Sequence, residues 1–324
     1  MNLILRIWYQ GHKAYWLLLP LSWLYAAITA LRRQLYTLGI VRQYRMPVPV
    51  IVVGNISVGG TGKTPFTLLL CQLLQQQGWR PGIVSRGYGA AIKSPLLVSA
   101  DATAVSVGDE PLLLARRSSC PVVVCPDRVA AAQYLLAQTD CNIIVSDDGL
   151  QHYALARDLE IVLIDGVRGL GNNQLLPAGP LREGVWRARA VDLVVANSTA
   201  HPLADGVMQL QPGLPKAVSG NGQFQSKPVT LVAGIGNPQR FEATVLAAGY
   251  SIAERRFFAD HHHFSADDFS GITGTVLMTE KDAVKCQSFA KPDWFYLAVD
   301  AQLDQPVLTK LQTLITRLRS NNGN

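Results

Sequence analysis

Residues 48–64 read VPVIVVGNISVGGTGKT. The Val/Ile run VPVIVVGN (48–55) predicts a parallel strand covered on both faces. A glycine-rich turn follows, and the pattern from Lys63 to Gln77 predicts a helix. Ser57-Val58-Gly59-Gly60-Thr61-Gly62-Lys63-Thr64 matches the phosphate-binding pattern GxxxxGK[ST] except at its first position, where Ser57 replaces glycine. Each residue type has a reason to be there. Glycines let backbone N–H groups converge on phosphate oxygens, the helix N-terminus adds positive dipole, Lys63 reaches the β- and γ-phosphates, and Thr64 ligates Mg²⁺. The bland reading is an ordinary strand-to-helix turn, but strand, Gly-Lys-Thr and helix all stand in register.

The same alternation continues outward. Strands are expected at 81–85, 121–125, 142–148, 159–166 and 191–198, with helices at Glu110–Arg117 and Arg128–Gln138. This succession predicts an α/β fold, a P-loop NTPase-like doubly wound parallel sheet. Around 200–227 the chain turns polar and rich in Gly, Pro and Gln, which reads as a linker or a short hairpin. A second unit follows: strands at 228–236, 251–258, 274–280 and 294–299, a helix near Gln239–Ala248 and a terminal helix over Pro306–Arg319. The predicted organisation is an N-terminal membrane-anchoring segment (1–45), a P-loop nucleotide-binding domain (46–205), a linker (206–227) and a smaller C-terminal α/β lobe (228–324). The site is expected in the cleft between the two lobes.

The 324 residues suffice for about two domains at ~150 residues each. Hydrophobic residues make up 48% and charged residues 16%, below the usual ~25% charged, which excludes a disordered chain. A net charge of +6 suits an anionic partner such as a nucleotide or a phospholipid surface. No basic run or aromatic platform favours nucleic acid. The five cysteines are odd in number and form no CxxC pair, as expected of free thiols in a reducing compartment.

From Ala14 to Leu31 the chain runs AYWLLLPLSWLYAAITAL without a charge. A helix of that length spans about 27 Å, just short of a ~30 Å hydrocarbon core. Trp16, Trp23, Tyr15 and Tyr25 suit a membrane interface, and Arg32, Arg33, Arg42 and Arg45 follow the run, placing the bulk of the chain on the cytoplasmic side. A signal peptide lacks its cleavage site, and a buried core helix is the bland alternative. An anchor that spans or lies on the membrane is the expectation, with no other polytopic segment.

Acidic and histidine-bearing motifs complete the candidates. Asn142-Ile143-Ile144-Val145-Ser146-Asp147-Asp148 is an apolar strand ending in acids suited to Mg²⁺, although Asp-Asp-Gly is also good turn sequence. Asp109, in Gly108-Asp109-Glu110-Pro111, is either a general base or a plain helix cap. In Asp260-His261-His262-His263-Phe264, sequence neighbours point to different sides, so one functional histidine beside an acid is a better reading than a three-histidine metal site.

These residues resemble one family: tetraacyldisaccharide 4′-kinase, the lipid A 4′-kinase of Gram-negative bacteria. The similarity is carried by GNISVGGTGKTP (54–65), SRGYG (85–89), VGDEP (107–111), CPDR (125–128), SDDGLQH (146–152) and LPAGPLRE (176–183), and then by AGIGNPQRF (233–241), DHHHF (260–264) and TEKDAVK (279–285). The resemblance implies transfer of the ATP γ-phosphate to the 4′-hydroxyl of an acylated glucosamine disaccharide 1-phosphate, giving lipid IVA. It further implies an enzyme at the cytoplasmic face of the inner membrane that contacts membrane lipid and acts as a monomer. Lys63 and the loop 57–64 then serve ATP, and Thr64, Asp147 and Asp148 serve Mg²⁺. Asp109 becomes the base, partnered by His261, which directly follows Asp260, with His262 as the alternative. Tyr88, Glu110, Arg128, His152 and Arg182 become substrate or phosphate contacts. A membrane-recruited P-loop ATPase of the partitioning or targeting type is the rival, and it has no need of the GDEP and DHHHF motifs.

Overall fold

The computed structural model describes residues 3–225 and 228–321. The chain begins with helices α1 (Leu3–Tyr9) and α2 (Tyr15–Thr37), then enters β1 (Val50–Gly54), α3 (Lys63–Gln76) and β2 (Pro81–Ser85). A short β3 (Leu96–Leu97), α4 (Ala104–Val107) and α5 (Asp109–Ser118) precede β4 (Val122–Val124), α6 (Arg128–Gln138), β5 (Ile143–Asp147), β6 (Leu159–Asp165) and β7 (Leu193–Asn197). The remainder comprises β8 (Gly206–Ala217), β9 (Val229–Ala233), α7 (Pro238–Ala247), β10 (Ile252–Phe257), β11 (Val276–Thr279), α8 (Glu280–Cys286), β12 (Trp294–Leu303) and α9 (Gln305–Asn321).

Among the described residues twelve strands join one sheet, in the order β10-β9-β11-β12-β8-β7-β6-β1-β5-β2-β4-β3. It is a large, mostly parallel sheet; β3 on β4 and β12 on β8 are the antiparallel pairs. Strand β1 lies between β5 and β6, parallel to both, and is buried along its whole length. The sheet carries a core on each face. Phe66, Leu70 and Leu74 of α3 pack on one face, and Val129, Ala132 and Leu135 of α6 on the other. Continuous Val/Ile strands need such double cover.

Two features differ from the linear reading. The segment 206–217 is a twelve-residue strand, not an irregular linker or hairpin. It runs parallel to β7 and antiparallel to β12, so it fuses the two halves into one sheet. Pro212 and Pro215 disguise it; they flank the register shift near Leu297 and Val299, where a missing backbone N–H is tolerated. Residues 226–227 of the expected linker, and residues 1–2 and 322–324 of the expected terminal segments, lie outside the described residues. Helix α9 also returns to the first half: Val307, Leu311 and Ile315 share the core of Ile51, Phe66 and Leu70.

The N-terminus corrects the expectation of a spanning anchor. Among the described residues, no helix is long and apolar enough to cross a membrane. Helix α2 contains Pro20, Ser22, Thr29, Arg32 and Arg33, which dilute its apolar character. One face docks on the body: the Ser22 hydroxyl donates to the Leu175 carbonyl at 2.8 Å and accepts from the Ala178 N–H at 2.9 Å. The Tyr25 hydroxyl donates to the Arg182 carbonyl at 3.1 Å. The opposite face, with Leu17 at 83% exposure and Trp23 at 66%, is uncovered.

Candidate active site

The C-terminal ends of the parallel strands open into a cleft of about 820 Å³, which is where open α/β sheets hold ligands. The loop after β1 forms one wall. Gly62 has φ +91°, and a side chain there would meet the Asn197 amide at 2.5 Å, so the position requires glycine on two grounds. The loop is braced from below: Asn197 Nδ2 donates to the Thr61 carbonyl at 3.0 Å, and Asn55 Nδ2 to the Gly59 carbonyl at 3.3 Å. Ser57 bridges Leu181 in an extended segment, and the Val58 N–H donates to the Pro180 carbonyl at 2.8 Å. That explains why serine is accepted where the pattern has glycine. Helix α3 starts at Lys63 with no side-chain cap, leaving its first N–H groups facing the cleft.

Two adjacent carboxylates close the floor and differ sharply. Asp147, at the end of β5, is fully buried and receives only long hydrogen bonds, from the Thr67 and Ser85 hydroxyls at 3.4 Å each. Burial, reinforced by the charges of Glu110 and Asp148, pushes its pKa up to about 7. Asp148 is only half-buried, and Lys63 at 3.4 Å and Arg182 at 3.2 Å outweigh the desolvation it suffers and hold its pKa at about 2. Its backbone is left-handed, φ +49°, which turns the side chain toward the lysine.

The facing wall is assembled from distant segments. Gly108, not Asp109, occupies the cap of α5, although Asp109 Oδ1 accepts from the first-turn Glu110 N–H at 2.8 Å. The buried Asp109 carboxylate also lies 3.1 Å, through both oxygens, from His261 Nδ1. His261 sits at φ +59° on the loop after β10, with the Tyr88 ring 4.7 Å away. Burial would raise the Asp109 pKa, but the His261 hydrogen bond and the Lys281 and Lys285 charges bring it below the ordinary value. For His261, burial lowers the pKa and Lys281 lowers it further, yet Asp109 leaves the net shift upward. His262 points elsewhere, stacked on Phe258 at 4.6 Å and 3.2 Å from Asp268.

Of the expected substrate contacts, Tyr88, Glu110, His152 and Arg182 line the cleft. Arg128 also borders it but is almost fully buried. Its guanidinium donates to the Cys125 carbonyl at 2.8 Å and the Asp147 carbonyl at 3.3 Å, and burial depresses its pKa to about 10. Arg128 thus braces the acidic pair from beneath while bordering the cleft. Several cleft residues carried no sequence expectation. Arg240 pairs with Asp165 and donates to the Gly60 carbonyl at 3.3 Å, tying the second half to the phosphate loop. Lys281 of α8 bonds Glu110 at 3.0 Å, and Tyr25 and Arg32 bring α2 to the rim. Only the Lys-x-x-x-Lys spacing in TEKDAVK hinted at Lys281 and Lys285 sharing a helix face.

A glycine-rich strand-to-helix loop with its lysine, opposite a buried acid–histidine pair, defines a P-loop-type kinase. A sequence model of tetraacyldisaccharide-1-P 4′-kinase matches residues 14–316, and the chain belongs to that family. Tetraacyldisaccharide 4′-kinase from Shewanella baltica (strain OS195) is 50% identical, with 98% of each chain covered. The protein of the same name from Shewanella amazonensis is 48% identical over 96% of this chain and 95% of its own. The crystal structure of LpxK from Aquifex aeolicus in complex with ATP superposes with a TM-score of 0.77 at 31% identity, covering 94% of this chain and 99% of that one.

Proposed function

We propose that the protein transfers the γ-phosphate of ATP to the 4′-hydroxyl of tetraacyldisaccharide 1-phosphate, giving lipid IVA in lipid A biosynthesis. The observation that carries this reading is the single cleft that holds the phosphate loop on one wall and the Asp109–His261 pair on the other. Loop 57–64 and the N-terminus of α3 cradle the phosphates, and Lys63 moves from Asp148 to the β- and γ-oxygens. Asp109 accepts the hydroxyl proton as the new O–P bond forms and the bond to the ADP oxygen breaks; His261 orients it. Arg182, Tyr88, His152 and Glu110 line the acceptor side.

Thr64, Asp147 and Asp148 fit a magnesium ion. Among the described residues no group of three His, Cys, Asp or Glu forms a self-sufficient metal site, but a nucleotide-borne Mg²⁺ needs only one or two protein ligands. Asp147, buried with only long hydrogen bonds, suits that role. When bound, magnesium neutralises charge across the phosphate oxygens.

The uncovered face of α2 lies on the cytoplasmic leaflet of the inner membrane as an interfacial helix, with Arg32 and Arg33 toward anionic headgroups. This puts the cleft rim, through Tyr25 and Arg32, beside the acyl chains of the substrate. The kinase unit spans 46–205 and the C-terminal lobe starts at 228; one chain supplies every site residue, as a monomer requires. Purified protein should consume ATP only when the glucosamine-disaccharide lipid is present. ATP hydrolysis at the same rate without the lipid would instead fit a partitioning-type ATPase.

A further inference from the structure

Helix α8 presents two lysines to the acid–histidine pair from the second half of the chain. Lys285 Nζ lies 2.7 Å from Asp282 and 3.7 Å from Asp109, and it is held over the Phe264 ring at 4.9 Å. Lys281 Nζ bonds Glu110 at 3.0 Å and lies 3.4 Å from Asp260 and 3.9 Å from Asp109. It also lies 3.4 Å from His261 Nε2, the nitrogen that faces away from Asp109. An ammonium group has donors only. A hydrogen bond from that ammonium needs Nε2 as the acceptor, and the tautomer that offers it carries the ring proton on Nδ1, 3.1 Å from both Asp109 oxygens.

We propose that Lys281 is a positioning residue of the phosphoryl-transfer site: its ammonium occupies the Nε2 side of His261, opposes protonation of that nitrogen and keeps the Nδ1 proton directed at Asp109. The groups facing His261 are Asp109 from α5, Lys281 from α8, Asp260 from its own loop and the Tyr88 ring. Asp109 and Asp260 favour imidazolium, and Lys281 opposes it. Without the lysine, the histidine stays protonated to higher pH still and spends the Asp109 carboxylate in an ion pair over a wider range, which makes a weaker base. Burial works against the ammonium, but Glu110, Asp109 and Asp260 raise its pKa above the ordinary lysine value, so Lys281 stays charged throughout the working range.

This inference rests on Asp109 being the base, and the test separates the two. In full-length protein labelled with ¹⁵N-histidine, the wild-type His261 signal at a pH above its raised pKa should show a protonated Nδ1 and a bare Nε2. Lys281→Met should shift His261 protonation to higher pH and lower kcat by about tenfold on the acidic side, with the loss shrinking as pH rises and the KM for ATP little changed. Lys281→Arg, which keeps the charge, should restore most of the lost rate. A wild-type proton on Nε2, or Lys281→Met and wild-type pH profiles that superpose after scaling, overturns the proposal. If Lys281→Met does not fold, the wild-type tautomer decides alone. An Asp109→Asn variant of normal kcat overturns the base assignment itself, whatever Lys281 does.

Discussion

The two walls of the cleft are built in opposite ways. The phosphate loop is contiguous: strand, glycines, lysine and helix occupy residues 50–76, and their geometry follows from local chain stiffness and φ values. The facing wall joins α5, the loop after β10 and α8; Asp109 and His261 stand 152 residues apart in sequence. The first wall tolerates change in its surroundings because its own backbone makes the anion site. The second exists only while the sheet holds both halves in register through β8. On the roles proposed above, the binding determinants are therefore local, and the proton-handling determinants depend on the whole fold.

The sharpest test of this contrast is Lys63→Ala. It should reduce kcat by about 10³-fold or more while circular dichroism stays native, since removing a charge aimed at the transferred phosphate affects positioning and electrostatics only. A folded variant with near wild-type turnover would remove the loop from the mechanism. Asp109→Asn comes next, with a loss of ~10²–10⁴ in kcat and an unchanged Kd for ATP. His261→Ala should also lower kcat, and the double variant should lose less than the product of the two, because the pair acts as one unit. Strictly multiplicative losses would show two independent contributors.

A smaller effect is expected at the outer face of α2. Replacing Leu17 and Leu24 together by Glu removes roughly 1.5–3 kcal/mol of apolar burial per side chain from a membrane-bound state. Sedimentation with anionic vesicles should fall, and turnover on detergent-dispersed substrate should not. Equal sedimentation of the variant and the parent at high salt would refute the interfacial role of this face.

The smallest effect is on the pH dependence of stability. Asp109 is below its ordinary value of 3.8, so its contribution is present above that value and is lost as pH falls through the lowered folded pKa. His261 is above its ordinary 6.5, so its contribution is full below 6.5 and is lost as pH rises through the raised folded pKa. The pair stabilises most between 3.8 and 6.5. Tm of the wild type should decline as pH rises past 6.5, and His261→Ala should flatten that decline; an identical slope in both proteins would show that the pair contributes nothing to stability.

Read from the residues, the loop, its flanking strand and helix, the acidic strand end and the doubly wound parallel sheet were all legible. Each follows from a short-range pattern: Val/Ile runs that need double cover, glycines at positive φ, and turn acids after a strand. The family resemblance added the pairing of Asp109 with a histidine but left His261 and His262 open, because adjacent residues differ only in the direction their side chains take from the backbone. In the structure His261 faces Asp109 and His262 faces Asp268. The bracing bonds of Arg128 were not legible, because an arginine that donates to two buried carbonyls looks no different in sequence from one at the surface.

The sequence by itself determined the elements and the nucleotide loop, since these depend on residues within about one strand-turn-helix of each other. Only the tertiary structure decided that a proline-bearing segment is the strand uniting the halves, and that α2 docks one face and leaves the other open. It alone brought α9 back into the first core and set Lys281 and Lys285 of α8 against Asp109. The physical reason is range. Propensity, pleat and helix period act over a few residues, whereas burial and charge pairing depend on which distant surfaces the folded sheet brings together.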